Sequence, residues 1–350
     1  MQLHNKISGE LLRKKIQETA EPRSTLSFYQ YAHIGNPRLF RDHLFIEWEK
    51  LGVLGRTYVA KEGINAQISI PTENRDAFRE FLDTIEFLKG IRLNWAIEDD
   101  GKSFFKLTIK VREKIVADGL NDSSFDVTNR GVHLTAEKFN EITSNPDTIL
   151  VDMRNHYESE VGHFKGAITP DVDTFRDALK VVEDDLKGQE DKPLVMYCTG
   201  GIRCEKASAY YKHKGFKEVY QLEGGIIEYA RQVREKGLEN KFIGKNFVFD
   251  ERLGERISEE VIAKCHNCGS ACDTHKNCQN DACHLLFIQC DVCAEKLNDH
   301  CSDACLDFST WPDEERKKFK SGLNLGQQIF KKGRSSAFLK AYQAWQENQG

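Results

Sequence analysis

The pattern of hydrophobic and polar positions changes period several times along the chain, and each change marks a different kind of element. Residues 1–24 read as a polar, partly helical lead-in. Ser27-Phe28-Tyr29-Gln30-Tyr31 has the aromatic density of a strand. Over 37–51, Leu39, Phe40, His43, Leu44 and Trp48 recur at three and four, the spacing of an amphipathic helix. Two extended runs, 55–60 and 64–70, are joined at Lys61-Glu62-Gly63 by a hairpin-sized turn. A helix beginning at Thr72 sets Phe78, Phe81, Leu82 and Ile85 on one side, and Phe104 to Val111 alternates as a last strand. That order, βαββαβ, predicts a ferredoxin-like α+β domain over residues 25–118.

Residues 112–132 have the Gly, Asn and Ser punctuation of a linker. The pattern then becomes α/β over 130–240. Ile149-Leu150-Val151-Asp152 and Pro193-Leu194-Val195-Met196-Tyr197-Cys198 are short apolar runs of the kind buried in a parallel sheet. Helical segments near 173–187, 203–214 and 225–235 alternate with them. A cysteine-rich block follows over 241–308, then a charged tail over 309–350 that includes Lys317, Lys318, Lys320, Lys331, Lys332 and Arg334. The prediction is a multidomain α/β protein with a small metal-binding module.

Composition narrows the chemistry. The 350 residues carry 50 Lys and Arg against 55 Asp and Glu, so the overall charge gives no general attraction to nucleic acid. No apolar run reaches the roughly 20 residues of a membrane span, and the first residues lack a secretory pattern. A cytoplasmic protein without membrane contact is expected. The 11 cysteines are distributed unevenly: none before Cys198, two in one loop, and nine between 265 and 305. Reduced thiols, one reactive loop and a metal site explain this better than disulfides.

The reactive loop is Cys198-Thr199-Gly200-Gly201-Ile202-Arg203-Cys204. A buried strand delivers Cys198 to its carboxyl end, and a glycine loop leads into a helix. Backbone N–H groups, the helix N-terminus and Arg203 all favour the thiolate, the reactive form. The spacing Cys198-x-x-Gly201-x-Arg203 resembles the active loop of single-domain rhodaneses. So do Asp152-Met153-Arg154, His163-Phe164-Lys165-Gly166-Ala167 and Leu222-Glu223-Gly224-Gly225-Ile226, in the same order. The resemblance makes Cys198 the expected nucleophile, with Asp152 and Arg154 pairing to anchor the loop and His163 a packing residue. Cys204 stands where rhodaneses commonly have Ser. It reads as a resolving thiol or a Ser substitute, and the demanding geometry of a disulfide favours the substitute.

In the cysteine block, Cys265-x-x-Cys268 and Cys290-x-x-Cys293 have the paired-knuckle spacing of a structural zinc site. Cys272, Cys278, Cys283, Cys301 and Cys305, with His275, His284 or His300, are candidates for a second. An iron–sulfur cluster is the competing reading, but the ferredoxin spacings are absent. The order of modules, with Cys272-Asp273-Thr274-His275 and the run from Cys283 to Cys290, resembles the bacterial tRNA wobble-uridine hydroxylases over roughly residues 25–310.

That resemblance implies conversion of the wobble uridine to 5-hydroxyuridine, with molecular oxygen and an electron donor as co-substrates and the anticodon region of tRNA as partner. Phe28, Tyr29, Tyr31, Arg56, Tyr58 and Lys61 are the front-domain candidates for RNA contact. No flavin or nicotinamide fingerprint and no two-histidine, one-carboxylate iron pattern is present in the sequence. The loop alone predicts a sulfurtransferase better than it predicts oxygenation, and the flanking modules shift the weight back toward tRNA. A zinc scaffold without catalysis is a third reading. Oligomeric state leaves no trace in the pattern.

Overall fold

Strict alternation in the front third builds a sheet with two different faces. The computed structural model describes residues 9–18, 21–99, 101–322 and 336–347. Lys331, Lys332 and Arg334 of the expected tail lie outside them. After α1 (Gly9–Glu18) come β1 (Arg23–Tyr31), α2 (Pro37–Lys50), β2 (Leu54–Ala60), β3 (Gly63–Pro71), α3 (Arg75–Asp83), β4 (Asn94–Trp95) and β5 (Leu107–Val111). The sheet order is β4-β1-β3-β2-β5. Leu26 and Phe28 of β1, with Ile64, Ala66, Ile68 and Ile70 of β3, fill the core beneath the helices. Their neighbours on the other face, Ser27, Tyr29, Asn65 and Gln67, are only half-buried and turn toward the next domain.

Local signals place the helices. Asn36 accepts the Leu39 N–H at 3.1 Å, and Pro37 starts α2. Its buried side is Leu44, Phe45 and Trp48, whereas Leu39, expected there, is 68% exposed. Thr72 opens a short 3-10 turn (Thr72–Asn74) before α3, which buries Phe78 and Leu82. The run 104–111 does not close the ferredoxin-like order. The short β4, antiparallel to β1, does that, and β5 lies parallel to β2 on the opposite edge. It covers a β2 edge whose backbone groups would otherwise be unpaired.

The central domain contains β6 (Val132–Leu134), α4 (Ala136–Ile142), β7 (Ile149–Asp152), α5 (His156–Ser159), β8 (Gly162–Phe164), α6 (Phe175–Asp185), β9 (Leu194–Tyr197), α7 (Ile202–His213), β10 (Val219–Leu222) and α8 (Gly225–Lys236). Strands β6-β10-β9-β7 form a parallel sheet with apolar clusters on both faces. The expected linker is docked: Ile115 is buried, and Asn65 donates its Nδ2–H to the Ile115 carbonyl at 3.2 Å. Lys206 of α7 is 1% exposed and bridges Glu62 of the front domain (2.9 Å) and Asp118 (3.5 Å).

β11 (Phe242–Asn246) and β12 (Glu255–Arg256) add to β8 in a three-stranded sheet, tying the third region to the second. The hairpin β13 (His275–Asn277) and β14 (Leu286–Ile288), then α9 (Asp291–Leu297) and α10 (Asp303–Thr310), carry the cysteines. The tail is not merely a charged extension. α11 (Asp313–Ser321) and α12 (Ser336–Glu347) bury Phe319, Phe338 and Tyr342 in a cluster with Phe308, Cys278 and Cys305.

Asp152 and Arg154 are both fully buried and pair through Nε–Oδ1 at 2.9 Å and Nη2–Oδ2 at 2.6 Å. Arg154 also donates to the Gly162 carbonyl at 2.6 Å, so the pair pins β8 against β7. Asp152→Ala should leave a buried, uncompensated guanidinium and cost about 3–5 kcal/mol. A lowered midpoint in chemical denaturation, with the Arg154→Ala variant lowered comparably, would check this.

Candidate active site and cysteine quartets

Tertiary contacts at the end of β9 turn an ordinary cysteine into a stabilised thiolate. Cys198 is 0% exposed, and the Gly201 N–H donates to its Sγ at 3.1 Å. Gly201 reaches that position at φ +99°, a conformation glycine tolerates, and caps α7. Burial pushes the Cys198 thiol up. A hydrogen bond from Cys204, the Arg203 charge and the backbone N–H groups of Arg203 and Cys204 outweigh it and lower the thiol to about 6. Cys204 responds oppositely: burial and the neighbouring Cys198 sulfur push its thiol well up. It therefore stays protonated and serves as a donor, the role a Ser would have.

Arg203 is itself held by a residue that the sequence marks only as the acid of an Asn155-x-x-Glu158 capping box. Glu158 of α5, fully buried, takes its guanidinium in a bidentate pair at 2.6 and 2.7 Å. Thr199 Oγ1 donates to the same carboxylate at 3.4 Å. The loop anchor is thus Glu158, whereas the hydrogen bonds of Asp152 and Arg154 run to each other, β8 and Asn246. The capping-box spacing accounts for an acid at that position, and only the fold reveals that the same carboxylate meets Arg203. His163 Nδ1–H donates to the Ser159 carbonyl at 2.9 Å, as a structural residue.

The second Gly-Gly turn explains itself sterically. A Cβ at Gly225 would stand 2.5 Å from the carbonyl oxygens of both Cys198 and Thr199. That close approach lets the Ile226 and Ile227 N–H groups bond those carbonyls at 3.1 and 3.3 Å. The loop is therefore held from both sides. From the front domain, Tyr29 donates to Glu205 of α7 at 3.0 Å, and its hydroxyl lies 2.9 Å from where a Gly201 Cβ would be.

Cys198, Thr199, Gly200, Ile202 and Arg203 line a cavity of about 450 Å³. Its other walls come from Tyr29, Arg56, Tyr58 and Gln67 of the front sheet and from Phe249 and Arg252 beyond β11. Of the expected RNA-contact residues, Phe28 has its ring in the core against Trp48 and Phe78, and Lys61 is exposed away from the lining residues.

The cysteines assemble into two sets of four, each able to hold a metal ion: Cys265, Cys268, Cys290 and Cys293, and Cys278, Cys283, Cys301 and Cys305. All sulfurs within a set lie within 4.8 Å of one another. Measured separations are 3.7 Å for Cys268–Cys290, 3.8 Å for Cys283–Cys301 and 3.6 Å for Cys301–Cys305. Four sulfurs on one tetrahedral ion, with bonds of about 2.3 Å, stand about 3.8 Å apart. A cluster of several irons would spread them farther. Backbone N–H groups of Cys290 and Cys301 donate to Cys265 and Cys278 sulfurs, as suits thiolate ligands. Cys272 belongs to neither set and packs in the apolar cluster with Phe247 and Leu286. No histidine completes the second set: His275 packs on Phe247, and His300 bonds the Leu297 carbonyl.

If Cys204 is the donor described, alkylation of Cys198 by iodoacetamide should rise with a midpoint near pH 6. Below that pH the thiol is protonated and unreactive. Cys204→Ala should move the midpoint up by about one unit, and Cys204→Ser should restore it.

Among the described residues, no helix is long and apolar enough to cross a membrane. The profile of the UPF0176 acylphosphatase like domain matches residues 23–115, that of the Rhodanese-like domain 135–232, and that of the Rhodanase C-terminal region 243–306. The chain is 54% identical over 333 residues to a tRNA uridine(34) hydroxylase of Photorhabdus laumondii, covering 95% of each. It is 56% identical over 333 residues to one of Pectobacterium carotovorum, covering 95% of this chain and 94% of that one. Among solved structures, the rhodanese-like domain of an Anabaena protein aligns at 18% identity and TM-score 0.27, over 32% of this chain and 78% of its own. Similarity that runs nearly end to end through all three regions shows that the chain belongs to the tRNA uridine(34) hydroxylase family.

Proposed function

We propose that the protein hydroxylates the wobble uridine of tRNA at C5, with Cys198 as the thiol that engages the base. The observation that carries this is a buried, low-pKa thiolate at the wall of a cavity of about 450 Å³, in a chain that matches its relatives over 95% of its length. Uracil is an electrophile at C6. The Cys198 thiolate supplies the electron pair of a new C6–S bond, and the C5–C6 π pair moves onto C5. That carbon attacks an oxygen atom of O2 already reduced by a two-electron donor to the level of peroxide. The O–O bond breaks, and its distal oxygen leaves as water. Loss of the C5 proton re-forms the double bond and expels the thiolate. In sum, uridine, O2, two electrons and two protons give 5-hydroxyuridine and water.

The residues around Cys198 fit that cycle. Arg203 and the loop N–H groups stabilise the sulfur as attacking and as leaving group. Tyr29 and Tyr58 offer aromatic surface for a base, and Arg56 offers donors for its carbonyls. The cytoplasm, where tRNA is modified, is the corresponding location. Nucleoside mass spectrometry of tRNA from cells lacking this protein and any redundant route is the test. 5-Hydroxyuridine and its derivatives should return with the wild type and not with Cys198→Ser. Full restoration by Cys198→Ser would overturn the assignment, and no change on deletion would return sulfur transfer to the front.

Both cysteine sets are proposed to hold structural zinc, since four thiolates and no open position suit a closed tetrahedral site. Metal analysis should find two zinc ions per chain. Cys290→Ser and Cys301→Ser should each lose about one, and Cys272→Ser should lose none.

A further inference from the structure

A second cavity, of about 470 Å³, lies on the other side of the Tyr29 wall, and Cys198 and residues 199–203 are not among its lining residues. Its size falls within the roughly 300–1,000 Å³ of small-molecule sites. Tyr29 lines both cavities, so whatever fills the second is a close neighbour of whatever fills the first. Four Lys and Arg side chains line it, Lys89, Arg92, Arg130 and Lys206, together with two carboxylates, Glu205 and Glu223. Counting Glu62 and Asp118, the partners of Lys206, the charges nearly balance, so the cavity is distinguished by guanidinium groups at its rim beside aromatic walls and not by net charge.

The cations are arranged in two tiers. Lys206 is buried and committed to Glu62 and Asp118, which offset its charge, so it takes no part in contact with a ligand. Arg92 and Arg130 are at the rim, with side chains 42% and 44% exposed, and are oriented by Glu223 and by Glu205 at 2.9 Å. Rim pairs of this kind contribute little to stability. A guanidinium has five N–H donors, and one carboxylate partner leaves others for a second anion. Lys89 is exposed beside them, and Tyr31 and Phe87 supply aromatic faces. Phosphate-binding cations next to stacking surfaces are the two requirements of a single-stranded nucleic-acid subsite.

We infer that this second cavity binds the nucleotide adjoining the reacting uridine, stacking its base on Tyr31 or Phe87 and taking its phosphodiester on Lys89 and Arg92. The inference rests on the tRNA reading of the Cys198 cavity. It adds that the front domain, through the segment from Phe87 to Arg92, selects for a uridine embedded in a strand over a free one. Tyr29 then separates the reacting base from its neighbour.

The test uses the full chain, with the double variant Lys89→Ala/Arg92→Ala and, as a control for reduced charge, Lys187→Ala, an exposed site outside both cavities. Binding of an anticodon stem–loop RNA with uridine at position 34 is followed by fluorescence anisotropy at several salt concentrations. The double variant should weaken binding about 10-fold and make the log–log salt slope shallower by roughly 0.7 for each phosphate it no longer neutralises. Cys198 alkylation should be unchanged in it. Wild-type affinity in the double variant, or an equal loss in Lys187→Ala, would overturn the subsite. Hydroxylation by the wild type is scored separately by nucleoside mass spectrometry. RNA binding that depends on Lys89 and Arg92 without any 5-hydroxyuridine formed would uphold the subsite as an RNA site and overturn the hydroxylase reading instead.

Discussion

A charged sulfur without solvent around it must be compensated by fixed dipoles and charges, and the geometry around Cys198 answers that requirement. The Gly201 N–H, the Cys204 thiol and Arg203 all converge on one atom. Arg203 is itself buried, so it needs Glu158, and Glu158 has to come from a neighbouring helix. The loop backbone has its own polar groups to satisfy, and the N–H groups of Ile226 and Ile227 reach them only because Gly225 has no side chain. Removing any one of these supports leaves a buried group without a partner.

The same constraint explains why the flanking regions are integral to the site. The Cys198 loop sits at the carboxyl edge of its parallel sheet, where it would otherwise open to solvent. The polar face of the front sheet covers it, and residues just after β11 complete the enclosure. Tyr29 is the fixed point of that cover: its hydroxyl bonds Glu205 of α7 and lies against Gly201. The buried Lys206 of α7, shared between Glu62 and Asp118, holds the two domains in one relative position. The result is a cavity with aromatic and cationic walls in place of an exposed loop, which suits a base extracted from a strand.

The cysteine region supports the site from a distance. Two four-thiol sets interleave in sequence, with Cys278 and Cys283 lying between the halves of the first set. Each set brings together cysteines from segments that are separate in sequence. The apolar cluster around the first set includes Tyr157 of α5, next in sequence to Glu158. The α11 and α12 helices close over the second set. Folding of the third region is thereby tied to the loop anchor.

The sequence by itself determined whatever depends on neighbours along the chain. Alternating β1 and β3, the apolar runs of β7 and β9, the Cys198 loop feeding α7, and the Cys265/Cys268 and Cys290/Cys293 knuckles were all legible, because pleat, strand burial and ligand spacing are local properties. Tertiary structure alone decided what depends on chain segments meeting in space. Glu158 as the partner of Arg203, Tyr29 against Gly201, β4 in place of β5 as the closing strand, and the all-cysteine second set lie in that category. No period or motif in the sequence specifies these pairings. A side chain that satisfies a buried charge from 45 residues away is chosen by position in the folded protein, not by its neighbours in sequence.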